Sequence, residues 1–220
     1  MEQKQAHIII VDGPSKSGKK LFGLELAITL MYNKQKTALL LDSDSPLNNI
    51  INSRITSHHF LPTPTIINKD SFVKECQNFD AIIIPGITNI DDLAINADTY
   101  ITLLTPQTAH KFPKNTIYLN NMWELKKKIA STHNKTLNWV ICENNLKDKS
   151  ITEPSKELSS IARMYGFRVA PPINKRASYL NTFNGISSQD KTYSNLKNNL
   201  TYEDICAKRE ITKLAEFIFS

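Results

Sequence analysis

The stretch Ile8-Ile9-Ile10-Val11-Asp12-Gly13-Pro14-Ser15-Lys16-Ser17-Gly18-Lys19-Lys20 decides how this chain is read. An apolar, β-branched run enters a glycine-bounded turn, and an amphipathic helical pattern from Leu21 to Tyr32 follows. Strand, loop and helix in that order are the context in which G-x-x-x-x-G-K-[ST] means nucleotide binding. Gly13, Gly18 and Lys19 satisfy the pattern, whereas Lys20 stands where a Ser or Thr hydroxyl ordinarily holds magnesium. The backbone N–H groups of Ser15, Lys16, Ser17, Gly18 and Lys19 are expected to cradle an anion at the start of the helix, with Lys19 adding charge for the outer phosphates. Side-chain changes leave that backbone cradle intact. The metal is another matter. Magnesium requires near-octahedral oxygen ligands, and an ammonium group has no lone pair to give. Lys20 is therefore expected either to pair with Asp42, the acid nearest the metal's place, or to turn to solvent.

Working outward, apolar strands alternate with helical patterns. Strands are expected at 7–12, 37–42, 80–84, 100–104, 137–142 and 167–170, and helices at 21–33, 46–53, 70–78, 91–97, 153–165 and 202–219. The segment 106–135 reads as a helical insertion, residues 58–68 as irregular, and 184–199 as a polar loop. Such alternation predicts an α/β fold, a mostly parallel sheet with helices on both faces, in a single domain over 1–220. Ligands of these sheets lie at the carboxyl ends of the strands. The first loop, Asp42, Asp44, Pro85 and Asn144 all fall at such ends and are expected to face one crevice.

Composition bounds the partners. With 220 residues, 40% apolar and 22% charged, the chain suits one globular domain. No apolar run reaches the ~20 residues that span a bilayer, and the polar first residues are no signal peptide, so a cytoplasmic protein without membrane contact is expected. Cys76, Cys142 and Cys206 are odd in number and widely spaced, which reads as free thiols rather than a metal set or a disulfide framework. The paired His58-His59 lacks ligand spacing, and no metal site is read from it. A net charge of +6 permits nucleic-acid contact without establishing it. Lys126-Lys127-Lys128 reads as a solvated helix face, and Trp123 and Trp139 as core.

The phosphate loop followed by Leu39-Leu40-Leu41-Asp42-Ser43-Asp44 resembles the ParA/MinD superfamily of deviant Walker A ATPases, whose strand after the loop ends in D-x-D. Three further stretches resemble the MipZ branch. One is Asn115-Thr116-Ile117-Tyr118-Leu119 with Trp123-Glu124, and the second runs from Leu137-Asn138-Trp139 through Asn144 to Leu146. The third is Ala162-Arg163-Met164-Tyr165-Gly166-Phe167-Arg168-Val169, with its proline pair and Arg176-Ala177-Ser178-Tyr179. The resemblance covers nearly the whole chain. It implies a P-loop NTPase-like fold, ATP or ADP as ligand, and a role in chromosome partitioning or cell-division positioning. It implies DNA, ParB and FtsZ as partners, adenine contacts from Asn144 and Pro171, a place for Asp42 near the metal, and an Asp44 that orients attacking water.

This chain departs from that pattern at defined positions. The signature lysine, which reaches across the family's dimer, falls at Pro14. The two glycines after it fall at Ser15 and Lys16, the metal hydroxyl at Lys20, and the acid of the strand 80–84 at Pro85. The arginine-rich stretch after the strand 137–142 is replaced by residues 148–155, which weakens DNA binding. Phosphoryl transfer rests on positioning and electrostatics, so these losses favour a pseudo-ATPase that acts by binding, as a monomer rather than a nucleotide-sandwich dimer. The alternative is an ATP-hydrolysing dimeric switch with an unusual magnesium site, and a third reading is a metal-free nucleotide or phosphate sensor.

Overall fold

The computed structural model describes residues 5–86, 91–147, 153–192 and 200–220. Eight strands form one sheet in the order β3-β2-β4-β1-β5-β6-β7, with β8 pairing on β6, and every pair is parallel. They are β1 (His7–Asp12), β2 (Thr37–Leu40), β3 (Thr65–Ile67), β4 (Ala81–Pro85), β5 (Thr99–Leu104), β6 (Asn138–Leu146), β7 (Arg168–Val169) and β8 (Ile173–Asn174). The chain runs from β1 toward one edge and then resumes at β5 on the other side of β1. The carboxyl end of β1 is therefore the switch point, where such sheets bind ligands.

Both faces of the central strands are buried, which is why these strands read as unbroken apolar runs. Ile8 and Ile10 point into one core, Ile9 and Val11 into the other. The second core lies under α1 (Lys19–Tyr32), α2 (Leu47–Ser57) and α8 (Tyr202–Phe219). The first is covered by α3 (Lys69–Glu75), α4 (Asp91–Ala94), α5 (Pro106–Ala109), α6 (Thr116–His133) and α7 (Lys156–Tyr165). Each fully buried Ile or Leu here contributes about 2 kcal/mol over an exposed one. Among the described residues no helix is long and apolar enough to cross a membrane.

Helix boundaries follow local chemistry. Thr201 and Asp204 form a reciprocal capping box at the start of α8. Gly166 stops α7 in the left-handed region, as its position in the sequence requires. Asn68 caps α3 by accepting from the Ser71 N–H at 2.8 Å, with Asp70 in the first turn.

The structure corrects several expectations. Residues 65–67 are a strand, β3, within the stretch read as irregular, and β8 was not foreseen. The strand expected to end at Cys142 continues to Leu146, so Asn144 lies inside β6, opposite Ile173 of β8. Trp139 is core, but Trp123 is 39% exposed. Lys126 is half-buried and donates to the Gly166 carbonyl, while Lys127 and Lys128 are solvated. In the expected loop 184–199, residues 187–190 are buried and 193–199 lie outside the described residues. So do 148–152, on which the weakened DNA contact was read.

Candidate functional site

The carboxyl end of β1 opens into the expected loop. Gly13 (φ +150°) has no room for a side chain, since a Cβ there would meet the Leu103 carbonyl oxygen at 2.4 Å. Gly18 (φ +84°) caps α1 from the left-handed region and starts its ladder by accepting from the Phe22 N–H at 2.9 Å. Lys16 is also left-handed (φ +65°), at a cost of about 1 kcal/mol for a residue with a Cβ. It is exposed, as is Ser15.

Lys19 turns back over its own loop. Its Nζ donates to the Gly13 carbonyl at 2.8 Å and approaches that of Pro14 at 3.5 Å. Gly86 (φ +66°), just past β4, covers the lysine stem, and its N–H bonds the Val11 carbonyl at 2.9 Å. A Cβ at Gly86 would lie 2.6 Å from Lys19 Cε. Gly86→Ala is thus expected to displace the Lys19 ammonium from the Gly13 and Pro14 carbonyls, which a crystal structure of the variant would show. A Lys19 Nζ still within hydrogen-bond distance of the Gly13 carbonyl would mean that the stem yields without moving its charge.

Asn144 braces the loop from β6, two strands from β1, its Nδ2 donating to the Ser17 carbonyl at 2.7 Å. The Ser17 and Ser45 hydroxyls are buried and have no hydrogen-bond partner among the described residues. Beside the loop lies a cavity of about 630 Å3. Lys16, Ser17, Gly18 and Asn144 stand on one side of it, and Phe22, Ile173, Tyr179 and Ile211 supply apolar wall. This meets the size and character of a small-molecule site, apolar with a few polar groups. Pro171 is not among the lining residues. Arg176 is, but its charge is matched: Glu210 accepts at 2.6 Å and Glu203 at 3.2 Å.

The acids at the strand ends are less engaged. Asp42 is half-buried and Asp44 exposed. The Asp42 carbonyl accepts from the Ser45 N–H and from Asn48, which leads the chain into α2. Lys20 is half-exposed and makes no ion pair among the described residues, so of the two outcomes expected for it the bond to Asp42 is not formed. Pro85 completes β4 and packs against α1 so closely that a Cβ on Gly23 would meet Pro85 Cβ at 2.6 Å. Asp80, at the other end of that segment, accepts from the Lys36 N–H at 2.7 Å, far from the loop along the strand.

Two residues of this region escaped the sequence reading. Glu25 lines the cavity although it sits on α1 among Phe22–Leu30, all of them buried. Its carboxylate accepts from Thr182 and from the N–H and hydroxyl of Ser188. Burial pushes its pKa up to about 7 despite those donors. The signal was a lone acid inside an apolar helical run. Asp12, the last residue of β1, accepts from the Tyr100 hydroxyl at 2.9 Å.

Comparison with known proteins places this geometry. No curated protein matches the sequence. Among solved structures, MinD cell division protein from Aquifex aeolicus superposes with a TM-score of 0.58 at 12% identity, covering 97% of each chain. Apo McdA from Cyanothece gives 0.61 at 13%, covering 98% of this chain and 100% of that one. The septum site-determining protein MinD with Mg-ADP from Pyrococcus horikoshii gives 0.57 at 12%, covering 97% and 95%. At such identities the likeness fixes the fold, that of the P-loop NTPase-like ParA/MinD proteins. The family model described as ATPase MipZ matches residues 22–218, a span that begins after the phosphate loop and so owes nothing to it. The chain belongs to the MipZ ATPase family, within the ParA/MinD superfamily.

Proposed function

We propose that this protein binds an adenine nucleotide, ATP or ADP, and acts in cell-division or chromosome-partition positioning through binding, with hydrolysis impaired or absent. The phosphates rest on the backbone N–H groups of residues 15–19 with Lys19 beside them. The base enters the 630 Å3 cavity next to Asn144. The size of that cavity, its apolar wall and its position at the loop support an organic nucleotide over a bare anion.

The single observation that carries the impaired chemistry is the carboxyl end of β4. Pro85 occupies it, pressed onto Gly23, so that this strand end offers no carboxylate to a metal shell. Lys20 offers no oxygen either. The donor set present at these two positions does not fit magnesium, and no step is derived through it. Asp42 and Asp44 retain their places at the end of β2, with Asp44 the residue best placed by sequence to address water. The partners implied are proteins of the division or partition apparatus, FtsZ and ParB, with DNA contact weakened. Pro14 in the place of the bridging lysine supports a monomer.

Calorimetry with ATP is expected to give the same affinity with magnesium and with excess chelator, and Lys19→Ala to lower it at least about tenfold. Phosphate release should not exceed that of the Lys19→Ala control. Light scattering should show one size with and without an ATP analogue. Turnover that needs magnesium and vanishes in Lys19→Ala would establish the alternative, an active ATP-driven switch.

A further inference from the structure

A second cavity lies against the phosphate loop, and the proposed function makes no use of it. It measures about 560 Å3 and meets the loop at Gly13 and Pro14. That volume lies within the ~300–1,000 Å3 of small-molecule sites. Asp12 and Thr102, toward the carboxyl ends of β1 and β5, line it with Thr108 of α5 and Tyr118 of α6. Lys111 and Lys114, both exposed, line it from the turn that joins those helices.

The polar groups here are partly committed. Trp139 Nε1 donates to Thr102 Oγ1 at 3.0 Å, and Tyr118 shares that hydroxyl at 3.0 Å. Tyr100 donates to Asp12 Oδ2 at 2.9 Å. Burial first pushes Tyr100 and Tyr118 well above the ordinary phenol range, with the neighbouring Tyr118 and then Asp12 adding to it for Tyr100, and Asp12 for Tyr118 against the Thr102 bond, so both stay protonated and neutral. Among the described residues Asp12 Oδ1 receives no donor, and neither Lys111 nor Lys114 is in an ion pair. The site thus has one unmatched carboxylate oxygen and two unmatched ammonium groups around an aromatic wall.

We propose that this cavity binds a sugar phosphate, with the phosphate on Lys111 and Lys114 and a sugar hydroxyl donating to Asp12. Two cations match a phosphate dianion better than a single carboxylate. The volume leaves room for a ring, and the Tyr118 face packs against its C–H surface. A carboxylate that accepts a hydroxyl proton selects a polyol over a second anion, which Asp12 repels.

The test is calorimetry of the full chain with ribose 5-phosphate. Wild type is expected to bind, and Lys111→Ala/Lys114→Ala to lose at least about tenfold in affinity. Both side chains are exposed, so their truncation leaves the core untouched. Asp12→Asn keeps an acceptor for Tyr100 and should weaken binding severalfold. Saturating ATP occupies the first site and should leave this binding unchanged, which keeps failure of one reading separate from failure of the other. The proposal is overturned by absence of binding up to about 10 mM. It is equally overturned if inorganic phosphate binds as tightly as the sugar phosphate, or if ATP displaces the sugar phosphate while the double lysine variant still binds it.

Discussion

Asp190→Ala is expected to cost about 3–5 kcal/mol in urea unfolding, because it strands a buried cation. The pair it breaks is fully enclosed: Arg54 Nη1 lies 2.5 Å from Asp190 Oδ2 and Nη2 lies 2.9 Å from Oδ1, with neither side chain exposed. Asp190 also accepts from the Tyr32 hydroxyl at 2.8 Å and the Ser187 N–H at 2.6 Å. Arg54 donates its remaining protons to the carbonyls of Pro62 and Gly185. Removing the carboxylate therefore leaves the guanidinium charge unpaired and the Ser187 N–H without its acceptor in a place water does not reach. Arg54→Met combined with Asp190→Leu is expected to recover part of the loss, since the double change removes both charges at once. A cost below about 1 kcal/mol for Asp190→Ala would mark the pair as solvated, like a surface ion pair. The consequence reaches the site, because this pair ties α2 to the segment that follows Tyr179, Leu180 and Phe183, which line the larger cavity.

The same segment shows where reading from sequence stops. Ser187, Ser188, Gln189 and Asp190 are polar, and composition assigns them to solvent. Ser188, Gln189 and Asp190 are buried because each finds a partner more than a hundred residues away, on α1 or α2, and Ser187 bonds to Asp190 beside it. Polar character is local, whereas satisfaction of a hydrogen bond is not. β3 was missed for a related reason. Thr65 and Ile66 are exposed at the sheet edge and carry no burial pattern, and what makes them a strand is their register with Ala38 and Leu39 of β2. The core strands were legible because burial on two faces leaves an apolar run that nothing else explains. The phosphate loop was legible because its glycines answer local backbone demands, met at Gly13 and Gly18. The cavity beside it was not, since its walls come from α1, β6, β8, α8 and the turn after β8, which no spacing connects.

Glu25→Gln is expected to abolish most of a fall in stability that the wild-type chain undergoes as pH rises from about 4.5 to about 7. Glu25 is fully enclosed, and desolvation raises its pKa from 4.5 to about 7. Across that window the folded chain keeps a proton that the unfolded chain has released. Stability then falls with rising pH, because the native state binds more protons. The whole span amounts to about 3 kcal/mol. Glutamine keeps one acceptor oxygen for the Ser188 N–H and Thr182, and its NH2 can donate to the Ser188 hydroxyl, as the protonated acid does. Two other groups bend the wild-type curve. His7, whose pKa burial lowers, favours the fold as pH rises through its range. Asp204, held down to about 2 by Ser178, Thr201 and Lys191 against its desolvation, loses its contribution only below about 4. Both are common to wild type and variant and cancel in the difference. The stability of Glu25→Gln minus that of wild type should therefore grow by about 3 kcal/mol between pH 4.5 and pH 8. A difference that stays flat over that range would show Glu25 ionising as an ordinary glutamate. Its bonds to Thr182 and Ser188 would then have to be solvated rather than sealed beneath the larger cavity.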